Sequence, residues 1–173
     1  MHDTARTANL LGATALAVTD IALEAVSRTA GTSTSAAAAL VVLRTSPGLS
    51  VTELGRRIGL SQPAAARMVA SLEAAALVER RPGTGREVCV TPTPAGTDAA
   101  SRLLRARAQP LHELVSVLDP DEQRALADLL ARLLTRLYTD APSSELLCRL
   151  CDRHSCTTGA PCPVGQAERD QDG

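Results

Sequence analysis

The chain has 173 residues, enough for one domain with an extension. Its 45% hydrophobic content supports a core, but Tyr138 is the single aromatic residue, so that core must be built from Leu, Val and Ala, which suits close-packed helices. A formal net charge of −1, with Arg as the only long basic side chain, excludes a global electrostatic argument for nucleic acid or membrane; any DNA-binding charge must be local.

Residues 7–29 read as a helix. Leu11, Ala15, Val18, Ala22 and Val26 recur at steps of three and four, and Asp20, Glu24 and Ser27 mark a polar strip. Asp20 and Glu24 interrupt the most apolar stretch, so no bilayer-spanning segment is expected. Arg6 precedes a mildly apolar run without the cleavage site of a signal peptide. The expectation is a cytoplasmic protein with no membrane partner. Gly31 and the Thr/Ser run to Ser35 break the first helix, and a second covers about 35–45 before Pro47-Gly48.

Ser50 with Glu53 three residues on is a capping-box signature opening a short helix, 51–58, that stops at Gly59. Ser61 is placed to cap the next helix, and Pro63 is tolerated in its first turn. In that helix Ala65, Met68 or Val69, and Leu72 face one way, leaving Gln62, Arg67 and Ser71 for solvent or a ligand. Two short helices joined by a tight Gly-containing turn form the helix-turn-helix pattern. The runs LVERR and REVCV then flank Pro82-Gly83-Thr84-Gly85, which predicts a two-stranded hairpin. Arg80, Arg81 and Arg86 cluster around that turn. Thr93 caps and Pro94 starts a helix over roughly 94–118, kinked at Pro110. Asp119-Pro120 opens another, 120–138, with Leu126, Leu130, Leu133 and Leu137 on one face. Ala141-Pro142 ends it, Ser143 caps a last short helix, and the polar tail after Cys162 is expected to fray.

The order of these elements resembles the MarR family of winged helix-turn-helix transcription regulators over about residues 7–140. The specific part runs from Leu54 to Gly96: a supporting helix, a recognition helix ending in a Leu-Glu plus Leu-Val step, an Arg-bearing wing, and a Thr-Pro-x-Gly lead into the next helix. Three positions depart from the family pattern. Ala76 stands where a Gly usually ends the recognition helix, which predicts a differently shaped helix end. Thr84 replaces an Asp two residues before the wing-tip Arg86, and Pro92 replaces a Leu.

The fold implied by the resemblance is mainly α with a small two-stranded β wing and long dimerisation helices. Residues 1–32 would be the N-terminal dimerisation helix, 33–96 the DNA-binding domain, 97–140 the C-terminal dimerisation helices, and 141–173 a Cys-rich extension with a polar tail. The resemblance implies a homodimer, double-stranded DNA as partner, and a pseudo-palindromic site. The residues it places toward DNA are Ser61, Gln62, Ala64, Ala65, Arg67 and Ser71 on the recognition helix, with Arg81 and Arg86 on the wing. Gln pairs well with adenine, Arg with guanine, and Ala with a thymine methyl group; Arg86 would enter the minor groove. The resemblance also implies a small-molecule effector bound between the DNA-binding lobe and the dimer helices, although this chain offers almost no aromatic side chains to line such a pocket.

Four of the five cysteines, Cys148, Cys151, Cys156 and Cys162, fall within fifteen residues. In a reducing compartment such a cluster favours metal or redox chemistry over disulfides. Four thiolates are what structural Zn2+ takes. An iron–sulfur cluster is the alternative, a reversible thiol switch or simple packing the others. His154 is a possible substitute ligand, and Arg149 and Arg153 stand near the thiols. Because the segment follows the last long helix, it is expected at the dimer end. No nucleophile elbow or phosphate loop is present, and Cys148-x-x-Cys151 lacks a βαβ context, so an enzyme is not expected. The alternative function is a small metal-binding or thiol-redox sensor acting through protein association.

Overall fold

The structure is a computed structural model and describes residues 3–30, 33–83, 88–141 and 143–172. In chain order its elements are α1 (Thr4–Ala30), α2 (Thr34–Thr45), β1 (Leu49–Ser50), α3 (Val51–Ile58), α4 (Gln62–Ala74), β2 (Val78–Pro82), β3 (Val88–Pro92), α5 (Pro94–Val115), α6 (Pro120–Thr139), α7 (Ser144–Leu147), α8 (Arg153–Thr157) and α9 (Pro163–Asp172). The mainly helical winged architecture is as expected. The small sheet is larger than expected: β1 adds a third strand, giving the antiparallel order β1-β3-β2. Leu49 pairs with Val90 and Ser50 with Cys89, so the two residues before α3 tie the helix-turn-helix to the wing. Two residues without alternation leave no strand signal in the sequence.

The core forms around α2. An uninterrupted apolar run, Ala36 to Leu43, is buried on every side, as expected of a helix enclosed by others. Leu54, Val69, Leu72, Val90 and Leu103 surround it, drawn from α3, α4, β3 and α5. Aliphatic side chains fill this space in the absence of Phe and Trp.

α5 runs unbroken through Pro110 and ends at Val115, three residues earlier than the periodicity suggests. Asp119 stops the following turn by capping α6: its carboxylate accepts the Asp121 and Glu122 amides, and Glu122 returns a bond to the Asp119 amide.

α1 and α6 are lightly buried. Val26 is nearly inaccessible against the core, yet Leu10, Leu11, Leu16 and Ile21 are exposed, and α6 has no buried residue. Over Thr4–Thr29, α1 is long and apolar enough to cross a membrane, contrary to the expectation from Asp20 and Glu24. The Ala, Leu and Val content outweighs the two acids, and in this fold α1 packs against α5.

The extension differs most from expectation. It stays against α6 and also turns back along the winged lobe. α7 packs on α3, α9 packs on α6, and Leu150 reaches the main core. Nor does the tail fray through 163–172. Cys162 precedes a capped helix, with the Gln166 amide donating to the Cys162 carbonyl at 2.8 Å and the Gly165 amide to its sulfur at 3.4 Å. Val164 is buried, and the Ser144 hydroxyl donates to Glu168 at 2.6 Å.

Candidate functional site

The helix-turn-helix is built by small, specific contacts. Ser50 Oγ accepts the Glu53 amide at 3.2 Å, starting α3. Only that half of the predicted capping box forms, because the Glu53 carboxylate turns to Arg56 and Arg57, at 2.7–2.8 Å. These bonds hold the Glu53 pKa down at about 2. Gly59 takes a left-handed turn, φ +74, and the Leu60 amide reaches back to the Gly55 carbonyl. Gly55 lets α4 approach: a Cβ there would stand 2.8 Å from the Ala65 side chain.

That approach decides which face of α4 is free. Ala65, Met68, Val69 and Leu72 are buried. Ala65, named among the DNA-facing residues, is 0% exposed and cannot reach a base; it is the contact at the α3–α4 crossing. Gln62, Ala66, Arg67, Ala70 and Ser71 form the exposed face, with Ala64 half-buried at its edge. Ala66 and Ala70 are the residues that sequence reasoning missed, and extending the buried spacing by one position would have found them. Ser61 occupies the N-cap position but makes no side-chain cap bond, leaving its hydroxyl exposed.

The end of α4 corrects another expectation. Ala76 keeps the left-handed geometry, φ +56, with the Ala76 amide bonded to Glu73 and the Leu77 amide to Leu72. This is the Schellman arrangement usually given to Gly, here adopted by a residue for which it is strained. The Thr93 hydroxyl donates to the Ala76 carbonyl at 2.8 Å and accepts the Gly96 amide at 3.0 Å. Gly96 is required at this junction, since a Cβ would overlap the Leu77 carbonyl.

The wing strands are in register from Val78↔Pro92 to Pro82↔Val88. Arg81 is exposed beside Glu79, and Arg80 pairs with Glu73 at 3.3 Å. Thr84 and Arg86 lie outside the described residues. Arg67 is therefore the one arginine between 51 and 83 without an ion pair among the described residues.

A second site lies where the extension meets the lobe. A cavity of about 110 Å³ is lined by Val41, Val42 and Thr45 of α2, Arg57 of α3, and all four clustered cysteines. Every one of the four is a half-buried free thiol. The Cys151 thiol donates to Cys148, which lowers the Cys148 pKa despite burial. The same bond, then burial, pushes Cys151 well above the usual thiol range. Burial first, then Cys151, pushes Cys156 up to about 11. Arg153 lines the cavity; Arg149 is exposed and donates to the Leu146 carbonyl, and His154 is exposed off the cavity. Among the described residues, no group of three or more His, Cys, Asp or Glu side chains is placed to hold a metal ion. The wall is fastened to α3: Glu145 accepts from Arg56 at 3.2 Å, Arg57 lies 3.7 Å away, and Leu146 covers Gly59. Burial raises the Glu145 pKa, but the two arginines and its backbone amide lower it further.

The supporting helix, exposed second helix and three-stranded wing define a winged helix-turn-helix fold. Residues 30–87 match the MarR family model. The structure is similar to YusO from Bacillus subtilis, at 23% identity and TM-score 0.66, covering 77% of this chain and 96% of that one. It is similar to MepR, a transcription regulator of the Staphylococcus aureus multidrug efflux pump MepA, at 17% identity and TM-score 0.66, covering 75% and 97%. The Mycobacterium tuberculosis MarR family protein Rv2887 is 26% identical at TM-score 0.59, covering 76% and 95%. No curated protein matches the sequence.

Proposed function

We propose that this chain is a transcription regulator of MarR type, a cytoplasmic homodimer that binds double-stranded DNA at a pseudo-palindromic site and answers to an effector. The observation that carries the DNA reading is the exposed face of α4, where Gln62, Arg67 and Ser71 project between the small Ala66 and Ala70. Small side chains allow a helix to sit deep in a major groove, and the unpaired Arg67 is free to take a guanine or a phosphate. Ala66 replaces Ala65 as the candidate for a thymine methyl group. Arg56, Arg57, Arg80 and Arg81 are already held by carboxylates, which argues for few phosphate contacts and a shallow salt dependence.

Dimerisation is supported by the apolar surface left on α1 and α6. Leu129, Leu130, Leu133, Leu134 and Leu137 are all exposed in the single chain, a larger apolar stripe than a monomer ordinarily leaves in water. A second copy would cover it, setting two α4 helices about one DNA turn, ~34–36 Å, apart. The M. tuberculosis protein Rv2887 has been crystallised with p-aminosalicylic acid. In this chain the cavity between α2, α3 and the extension is the candidate effector site.

Selection from a randomised duplex pool tests the DNA reading. The expected product is an inverted repeat, with Arg67→Ala weakening binding and flattening the slope of log K against log salt by about 1 if it contacts phosphate, or relaxing one base position if it contacts guanine. No enriched sequence and no salt-dependent binding would refute it.

A further inference from the structure

We propose that Cys148, Cys151, Cys156 and Cys162 bind one Zn2+ as a tetrathiolate site that fastens the C-terminal extension to the winged lobe. All four cysteines line one cavity, and the chain brings them there by short steps. Cys148 and Cys151 share a turn closed by the Cys151 amide donating to the Cys148 carbonyl at 2.9 Å. Cys156 sits in α8, and Cys162 is held at the start of α9, its sulfur accepting the Gly165 amide at 3.4 Å. An N–H donated to sulfur is the support a ligating thiolate uses.

The other acidic groups at the cavity are already committed. Glu145 is engaged by Arg56 and Arg57, and Glu168 by Ser144. A cation entering the cavity therefore meets four sulfurs, a soft donor set that suits Zn2+. On ligation each thiol releases its proton to solvent, and four thiolates around Zn2+ carry a net charge of −2. Arg57 and Arg153 on the same wall offset that charge. The sulfurs must draw inward to close the set, since they do not stand as one already. Zinc needs no oxidant and no added sulfide, only these side chains. Among the described residues of the extension, Val164 is the one fully buried large side chain, so the energy of ligation has a structural task there.

The site does not depend on DNA binding; its regulatory consequence rests on the DNA reading above. The extension touches α6 through α9 and α3 through α7, so zinc would set how firmly the dimer helices hold the helix-turn-helix.

The test begins with elemental analysis and thiol titration of the full chain purified anaerobically without added metal. The expected result is about one zinc per chain, with the clustered thiols shielded until a chelator is added. Cys148→Ser with Cys151→Ser should lose zinc at least about tenfold, while Cys89→Ser keeps it. If the double variant does not fold, Co2+ added to the apo wild-type chain should give the intense sulfur-to-cobalt absorption of a tetrathiolate site. Iron with acid-labile sulfide, a disulfide in the isolated protein, four reactive thiols without metal, or featureless cobalt spectra would each overturn the zinc assignment. Removing zinc should shift duplex affinity by at least about fivefold. An unchanged affinity overturns the coupling, whereas no DNA binding with or without zinc overturns the DNA reading and leaves the metal result standing.

Discussion

The winged lobe and the C-terminal extension are held together by different physics. In the lobe, α2 to α5 enclose Leu40, Leu43, Leu54, Leu72 and Leu103, and the small residues at helix crossings are fixed by backbone approach. In the extension, short helices lean on the lobe through Leu146, Leu150, two carboxylate–arginine contacts and a patch of thiols. The first arrangement is a continuous buried aliphatic core. The second draws its order from what it touches. A lesion in the lobe should therefore unfold the chain, while a lesion in the extension should release only a strap.

Gly96→Ala is expected to produce the largest effect. Its Cβ would overlap the Leu77 carbonyl at the junction of wing and α5, where Thr93 also ties Ala76. A loss above about 3 kcal/mol in chemical denaturation is predicted; a loss below about 1 kcal/mol would mean the junction yields.

Leu146→Ala is next, and it sharpens the contrast. It uncovers Gly59 and weakens α7 on α3. The prediction is faster proteolysis within 143–172, with a change in global stability of no more than about 1–2 kcal/mol. Global unfolding together with the extension would make the two regions a single cooperative unit.

The same contrast governs how much was legible in the sequence. Helix-turn-helix, wing and long helices were readable because period, caps and turn residues are local signals: Ser50, Gly59 and Thr93 all act where the sequence puts them. The exposed face of α4 was readable to one helix position, and Ala65 failed because a buried face and an exposed face adjoin on that helix. The docking of the extension was not legible. Leu146, Leu147 and Leu150 have helical spacing, but a run this short does not say what it packs on, and Gly59, which Leu146 covers, lies far back in the chain. Cys162 as the start of α9 was hidden because sulfur is a poor and unusual cap.

Two smaller effects probe the lobe side. Ala76→Gly should stabilise the protein by about 1 kcal/mol, since the left-handed φ of +56 is strained for Ala and free for Gly. A destabilisation would show that the Ala76 methyl group contributes packing. The weakest effect is in pH. Glu53 has a folded pKa of about 2, below the ordinary carboxylate range, so its contribution is complete above that range and is lost as pH falls toward 2. With the side chain partly solvated, the effect should stay under about 1 kcal/mol and vanish in Glu53→Gln, read from denaturation midpoints between about pH 5 and pH 2.

The central claim is that two copies of this chain, joined through α1 and α6, read one DNA site. Sedimentation of the chain with a selected inverted-repeat duplex tests it most directly, with Leu133→Arg alongside. Two chains per duplex for the wild type, and a monomer with much weaker binding for the variant, is the predicted result. A wild-type monomer binding alone, or a Leu133→Arg chain that dimerises and binds as before, would contradict it.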